Sequence, residues 1–386
     1  MKLFVIVSRV PYPLDKGDKL RIYHQVKELS KTNTVHLCCL DDNNTKENNI
    51  NELRSICSEL TIIRLSKVKI YFNLFRALFS NKPYQVHYFY QAKAHKQVRE
   101  ILQNFNPDRI YCQLIRTAEY VKQEHNISKT IDYMDAFSKG IERRVAKSGF
   151  LKPIFIEESK RLLKYEHLIF DYFEGHTIIS KEDRKWILHE KRNEIEIVSN
   201  GIDTDFFTSK SGNKLEYDLI FVGNMSYAPN VEAVKFLVNE ILPLLNAQTK
   251  LLIAGASPSK EVLKLGSSQV TVSGWIDDIR DAYKNAKVFV APLFIGTGLQ
   301  NKLLEAMSME LASVTTPLVN SSLKGEENTH LVIANSALEF SEKINDLLLN
   351  DKKRKLLGSN ARDFVKENYS WKKSTDLLAS VLSKSN

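Results

Sequence analysis

Lys302 and Glu305 stand three residues apart at the start of a helix-forming run, just behind the glycines Gly296 and Gly298, in the stretch "VAPLFIGTGLQNKLLEAMSM" (290 to 309). Two glycines let a backbone approach a ligand closely. The free amides that open the following helix attract phosphate, and Lys302 in the first turn adds a full positive charge. Glu305, one turn further, can accept hydrogen bonds from a vicinal diol such as a ribose. The same residues also suit a plain capped helix with a solvated Lys and Glu, and physics alone leaves the two readings even. "GTGLQN" contains GxG, but Asn301 stands where a dinucleotide fingerprint has its third glycine, so a nicotinamide site is not indicated.

Other candidates are more ambiguous. "IDYMDAFSKG" puts Asp132, Asp135 and Ser138 at the end of a predicted strand, where they would contact sugar hydroxyls or cap a helix. Arg116, behind "DRIYCQL", belongs to the same side of that sheet or to a structural pair. Asp277 and Asp278 in "GWIDDI" read as helix caps, since no further carboxylates accompany them as a metal site would require. None of the nine histidines has an evident catalytic partner. Cys38, Cys39, Cys57 and Cys112 form no CxxC pair and read as buried reduced thiols. No metal and no cofactor is expected.

The elements that position these residues alternate. "KLFVIVS", "TVHLCCL", "LTIIRL", "DRIYCQL", "SKTIDYM" and "GHTIIS" are short β-rich runs separated by helix-like stretches, the pattern of a parallel sheet covered on both faces. A second series runs through "YDLIFVGN", "KLLIAGAS", "QVTVSGW", "KVFVAPL" and "ASVTTPL". Residues 150 to 173 predict one long helix, and the tail from 354 predicts helix broken at "ENYSW". Between the two series, "VSNGIDTDFFTSKSGNKLEYD" gathers Gly, Ser, Asn and Asp, a linker composition. The expectation is an N-terminal domain at 1–198, a C-terminal domain at 199–368, and a final helix at 369–386 that packs back on the first domain. Ligands of such sheets sit at the carboxyl ends of the strands.

Composition agrees with two cores. The chain has 386 residues, more than a single core usually holds, and its 43% hydrophobic and 26% charged residues exclude disorder as the main state. No run approaches the ~20 apolar residues of a membrane span. "MKLFVIVSRV" reads as a first strand and not a signal peptide, so the expected compartment is the cytoplasm. The net charge of +9 attracts nucleic acid, anionic lipid or phosphorylated small molecules, and no nucleic-acid-binding motif accompanies it. Residues 65 to 96 interleave Lys and Arg with Phe, Tyr and Leu, which suits either an interfacial segment or a core helix with solvated lysines.

Four stretches, in order, carry a resemblance: "VSNGIDTDFF", "YDLIFVGNMSYAPNVEAVKFL", "VTVSGWIDDIRDAYKNAKVFVAPL" and "PLFIGTGLQNKLLEAMSM". The chain resembles the retaining, nucleotide-sugar-dependent glycosyltransferases of family 4, and its "QNKLLEAM" variant is similar to that of bacterial exopolysaccharide sugar transferases. "SRVPYPLDKGDKLRIYHQVKEL" is more weakly similar to the family's N-terminal loop. The resemblance implies a GT-B fold, two Rossmann-like doubly wound α/β domains facing a central cleft. It implies Lys302 and Glu305 as catalytic residues, with Gly223, Asn224, Gly274, Trp275, Ile276, Gly296, Thr297, Gly298, Leu299, Gln300 and Asn301 binding the donor. Gly17, Asp18, Arg116 and Asp135 are the acceptor-side candidates. The implied partners are a nucleotide sugar, a glycan or polyprenyl-linked glycan acceptor and an anionic membrane surface, with the protein peripheral at the inner face of the plasma membrane.

The sequence departs from the family at three places. Thr297 stands where an acid often lies eight residues before the glutamate, Asn224 replaces an arginine after Gly223, and Glu310 and Ala312 stand where glycine and proline usually follow the helix. Three functions remain in competition: a hexosyltransferase, a nucleotide-sugar 2-epimerase of the same architecture, and a binding protein without turnover.

Overall fold

The computed structural model describes residues 1–145, 149–209, 215–295 and 299–384, apart from the Arg143 side chain. It divides into two compact units, one of residues 1–201 with 371–386, the other of residues 202–370.

In the first unit seven parallel strands run β1 (Lys2–Val7), β2 (Thr34–Asp41), β3 (Glu59–Arg64), β4 (Arg109–Gln113), β5 (Ser128–Asp132), β6 (Gly175–Ile178) and β7 (Glu196–Ile197), in the spatial order β3-β2-β1-β4-β5-β6-β7. Leu3, Phe4, Val5, Ile6 and Val7 are at most 1% exposed, because helices cover both faces of the sheet at its central strands, while the edge strands β3 and β7 keep exposed positions. The long helix predicted from apolar spacing is Lys152–Phe170. After the second unit the chain returns as the helix Trp371–Lys384. Its Leu378 and Leu382 join the core beside Leu3, Val5, Ile22 and Val26, and Trp371 stacks on His24 at 4.9 Å between ring centres.

The second unit repeats the plan with β8 (Tyr217–Val222), β9 (Leu251–Ala254), β10 (Val270–Gly274), β11 (Ala286–Ala291), β12 (Ala312–Thr315) and β13 (Val332–Ile333), ordered β10-β9-β8-β11-β12-β13. Both sheets are thus doubly wound in the Rossmann manner. The direction of winding reverses between β1 and β4 in one, and between β8 and β11 in the other, and crevices for ligands open at such reversals.

One expectation is corrected here. Asp132 contacts no solvent: its carboxylate takes a bidentate ion pair from Arg21 (2.7 and 3.1 Å), the Thr177 hydroxyl (2.9 Å) and the Tyr111 hydroxyl (3.2 Å), all buried. A buried carboxylate is tolerable only when so paired, and this one fastens the first helix to β4, β5 and β6. Ser138 is likewise internal, donating to the Glu166 carboxylate at 2.5 Å.

Candidate active site

The second unit gathers its candidates at the β8/β11 reversal. The helix Asn301–Ser308 follows β11, with Gln300 at its N-cap, so Lys302 lies in its first turn. Lys302 Nζ donates to Asn230 Oδ1 at 2.6 Å, reaches Gln300 Oε1 at 3.4 Å, and sits 5.5 Å from the centre of the Phe221 ring. Burial pushes its pKa down to about 8, against the opposing pull of Glu305. Glu305 accepts the Tyr283 hydroxyl at 2.8 Å; burial raises its pKa, while Tyr283 and Lys302 hold it down. An ammonium that has exchanged water for two neutral amide oxygens, one of them at the long distance of 3.4 Å, has a third N–H left to donate to an anion.

Asn230 and Tyr283 were not legible as site residues, yet they do the positioning. Asn230 is 3% exposed, and its Nδ2 donates to the Asn224 carbonyl at 2.9 Å while its Oδ1 holds Lys302. That packing explains Gly223, since a Cβ there would lie 2.6 Å from Asn230 Nδ2. Gly255, at φ +132°, packs so tightly that its own Cβ would meet the Gly223 carbonyl at 1.9 Å, and its amide donates to the Gly274 carbonyl at 2.9 Å. The ends of β8, β9 and β10 are therefore bound together through backbone, with an exposed turn at Asn224. Asn224 folds its side chain back onto Ser226, accepting the amide and hydroxyl at 2.9 and 2.8 Å, and supplies no charge in place of the family's arginine.

Gly274, at φ +70°, turns the chain out of β10, and Trp275 beyond it is 72% exposed, its indole N–H donating to Asp277 at 3.0 Å. Ile276 is half-buried against the core. Asp278 caps the helix Ile279–Lys284 through the Arg280 amide, as its sequence position predicted. Leu299, Gln300 and Asn301 lead into the helix that carries Lys302 and Glu305, whereas Gly296, Thr297 and Gly298 lie outside the described residues. Among the described residues no group of three or more His, Cys, Asp or Glu could hold a metal ion.

In the first unit Gly17 and Asp18 open the helix Gly17–Leu29 behind β1, and Arg116 follows β4, so all three flank the β1/β4 reversal. Asp18 pairs with Arg9 at 3.0 Å. Arg116 donates twice to Gln85 Oε1 (2.8 and 2.6 Å) and lies over the rings of Phe137 and Phe89 at 4.7 and 5.5 Å. Burial, aided by Arg9, lowers its pKa to about 10. Asp135 is pushed up to about 6, by burial first and then by Asp183 and Asp132. Arg116 and Asp135 line one cavity of about 570 Å³ with Tyr84, Phe137, Ile154 and Phe155.

Residues 216–350 match the family described as glycosyl transferases group 1. An uncharacterized 44.6 kDa protein in a cps region of Klebsiella pneumoniae is 26% identical, the alignment covering 96% of this chain and 97% of that one. An uncharacterized glycosyltransferase of Methanocaldococcus jannaschii is 27% identical over 54% of this chain and 57% of its own. The Anabaena protein HepE, solved in complex with UDP, superposes over 99% of both chains with a TM-score of 0.62 at 12% identity. The architecture is GT-B. With the matched domain on its second sheet, the chain is a glycosyltransferase.

Proposed function

We propose that the protein moves a hexose, with retention of configuration, from a nucleoside diphosphate sugar to a hydroxyl of a glycan or lipid-linked glycan in surface-polysaccharide assembly. The observation that carries this is the Lys302–Asn230 contact at the β8/β11 reversal, with Glu305 held by Tyr283 one turn along the same helix. The diphosphate docks on the helix amides and Lys302, and Glu305 takes the ribose hydroxyls through its remaining oxygen. Trp275 and Ile276 flank the base. As the bond between the anomeric carbon and the phosphate oxygen breaks, negative charge grows on the leaving diphosphate, and Lys302 stabilises it most at the transition state. The acceptor oxygen attacks from the same face, and its proton passes to that phosphate oxygen, so the protein need supply no base.

In this reading Lys302 takes the part that a divalent cation plays elsewhere, and chelators leave the rate unchanged. Gly17, Asp18, Arg116 and Asp135 contribute acceptor contacts. The Klebsiella relative's place in a cps region supports the polysaccharide role, and the solved complexes of HepE with UDP, with UDP and glucose and with UDP-glucose make uridine donors the first to try. The reduced thiols suit the cytoplasm, with the protein peripheral at the membrane's inner face. The test is incubation of purified protein with radiolabelled nucleotide sugars, with and without membrane lipid extract. Acceptor-dependent transfer supports the proposal; interconversion of donors without an acceptor makes the protein an epimerase, and binding without turnover makes it a carrier.

A further inference from the structure

The helix Lys67–Ala77 has two apolar faces, and only one is used. Ile70 and Ala77 are buried and Leu74 packs on the domain core, at the spacing of a single inward stripe. On the opposite side Val68, Tyr71, Phe72 and Phe75, with Phe79 just past the helix, are 60 to 83% exposed. Positions 68, 71, 72, 75 and 79 form a second stripe, and its Phe75 and Phe79 rings meet edge to face at 5.8 Å. Large apolar side chains exposed in one contiguous row mark a surface that meets something apolar.

Beside that row lies a cavity of about 350 Å³ whose walls include Lys69, Phe72, Arg76, Lys82, His87 and Glu119. Glu119 is already shared between Lys82 and Lys122, at 2.9 and 2.8 Å. Lys69 and Arg76 form no ion pair among the described residues, so the cavity keeps a positive excess. His87 registers that field: burial lowers its pKa, and Lys82, Arg76 and Arg161 lower it further against Glu119. From 65 to 96 the chain has Lys67, Lys69, Arg76, Lys82, Lys93 and Lys96 and not one Asp or Glu.

We propose that this helix seats the protein on an anionic phospholipid surface, its ring stripe entering the headgroup boundary while one lipid phosphate lodges among Lys69, Arg76 and Lys82. A second copy of the chain is a poorer occupant, because it would set the same acid-free, basic segment against itself. A phosphate layer is complementary to every charge on the segment, and the hydrocarbon edge to every ring. The inference takes its purpose from the lipid-linked acceptor proposed above, and its physical basis is independent of it.

The experiment is sedimentation of the full-length protein with phosphatidylcholine vesicles, with and without phosphatidylglycerol, alongside transfer to a water-soluble acceptor. The wild type should bind the phosphatidylglycerol vesicles at least tenfold more tightly and be largely released near 1 M salt, where the Debye length is about 3 Å. Phe72→Ser, Phe75→Ser and Phe79→Ser together should abolish binding, and the Gln variants of Lys69 and Arg76 should erase the lipid preference. Both variants should keep soluble-acceptor transfer, since neither touches the donor site. Equal binding by wild type and variants overturns the proposal. So does absence of binding with a concentration-dependent dimer that the serine variant dissolves. Vesicle binding without any transferase activity would overturn the proposed function and leave this inference standing.

Discussion

Lys302 and Asn230 are 72 residues apart in the chain and 2.6 Å apart at Nζ and Oδ1. A buried amide therefore aims an ammonium whose pKa burial lowers to about 8. A bound diphosphate favours the charged lysine, so its pKa rises in the complex. Above pH 8 the free protein must take up a proton to bind, and affinity should fall toward tenfold per pH unit, with no change below. Titration calorimetry with UDP across this range reads the slope. Lys302→Arg, which stays charged, should remove it; a flat profile in the wild type would place the lysine away from the phosphates.

Glu305→Ala should leave the protein folded and cut transfer by about 10- to 150-fold, since a charge-assisted contact to the ribose is worth roughly 1.5 to 3 kcal/mol. Tyr283→Phe removes the 2.8 Å bond that orients the carboxylate and should weaken the donor complex by about tenfold. Steady-state kinetics with donor varied decide this. Unchanged KM and kcat in the alanine variant would return Glu305 to a structural role.

Asp135 carries a pKa of about 6, raised by burial and by its acidic neighbours Asp183 and Asp132. A folded state that holds a proton more tightly than the unfolded chain loses stability as pH rises from the unfolded carboxylate value, near 3.9, through 6. Asp135→Asn should therefore stabilise the protein at pH 7, by about 1 to 3 kcal/mol, and give no gain below about pH 4. Urea unfolding at the two pH values tests the sign. A gain that persists in acid would implicate packing instead.

Glu310 occupies the left-handed region at φ +60°, where the resembling family has glycine. Its carbonyl lies 2.0 Å from where a Cβ on Gly358 would stand, so the backbone there has no room to relax. Glu310→Gly should release the strain at the expense of a freer unfolded chain, for a net gain of up to about 1 kcal/mol and a few degrees in Tm. A lower Tm would show that the 3.7 Å pair between Glu310 and Arg362 outweighs the backbone.

Eleven of the strands were legible because short β-rich runs alternate with helix-like stretches, most of them as apolar runs buried on both faces and β3 and β10 as edge strands with exposed positions. β7 and β13, two residues each, are too short to leave a pattern. Lys302 and Glu305 were legible because one helix carries both at a recognisable spacing. Asn230 and Tyr283 come from other elements, and nothing local announces a partner so far along the chain. Asp132 shows the converse. The end of a strand looks the same in sequence whether its carboxylate meets a ligand or an arginine 111 residues upstream. The left-handed Glu310 could be anticipated only by knowing which residue usually stands there.

The return of Trp371–Lys384 to the first unit sets an order for synthesis on the ribosome. The 169 residues from Ile202 to Ser370 emerge before Leu378 and Leu382 can close the core over Ile22 and Val26, or Ser374 can bond the Ser199 carbonyl. At roughly 5 to 20 residues per second, that is about 10 to 35 seconds during which the nascent first sheet lacks its last covering helix. Over that interval an apolar groove stands open to chaperones. A chain cut off just before Trp371 would never close it, so early termination there should yield a degradation substrate even with every residue of the donor site already made.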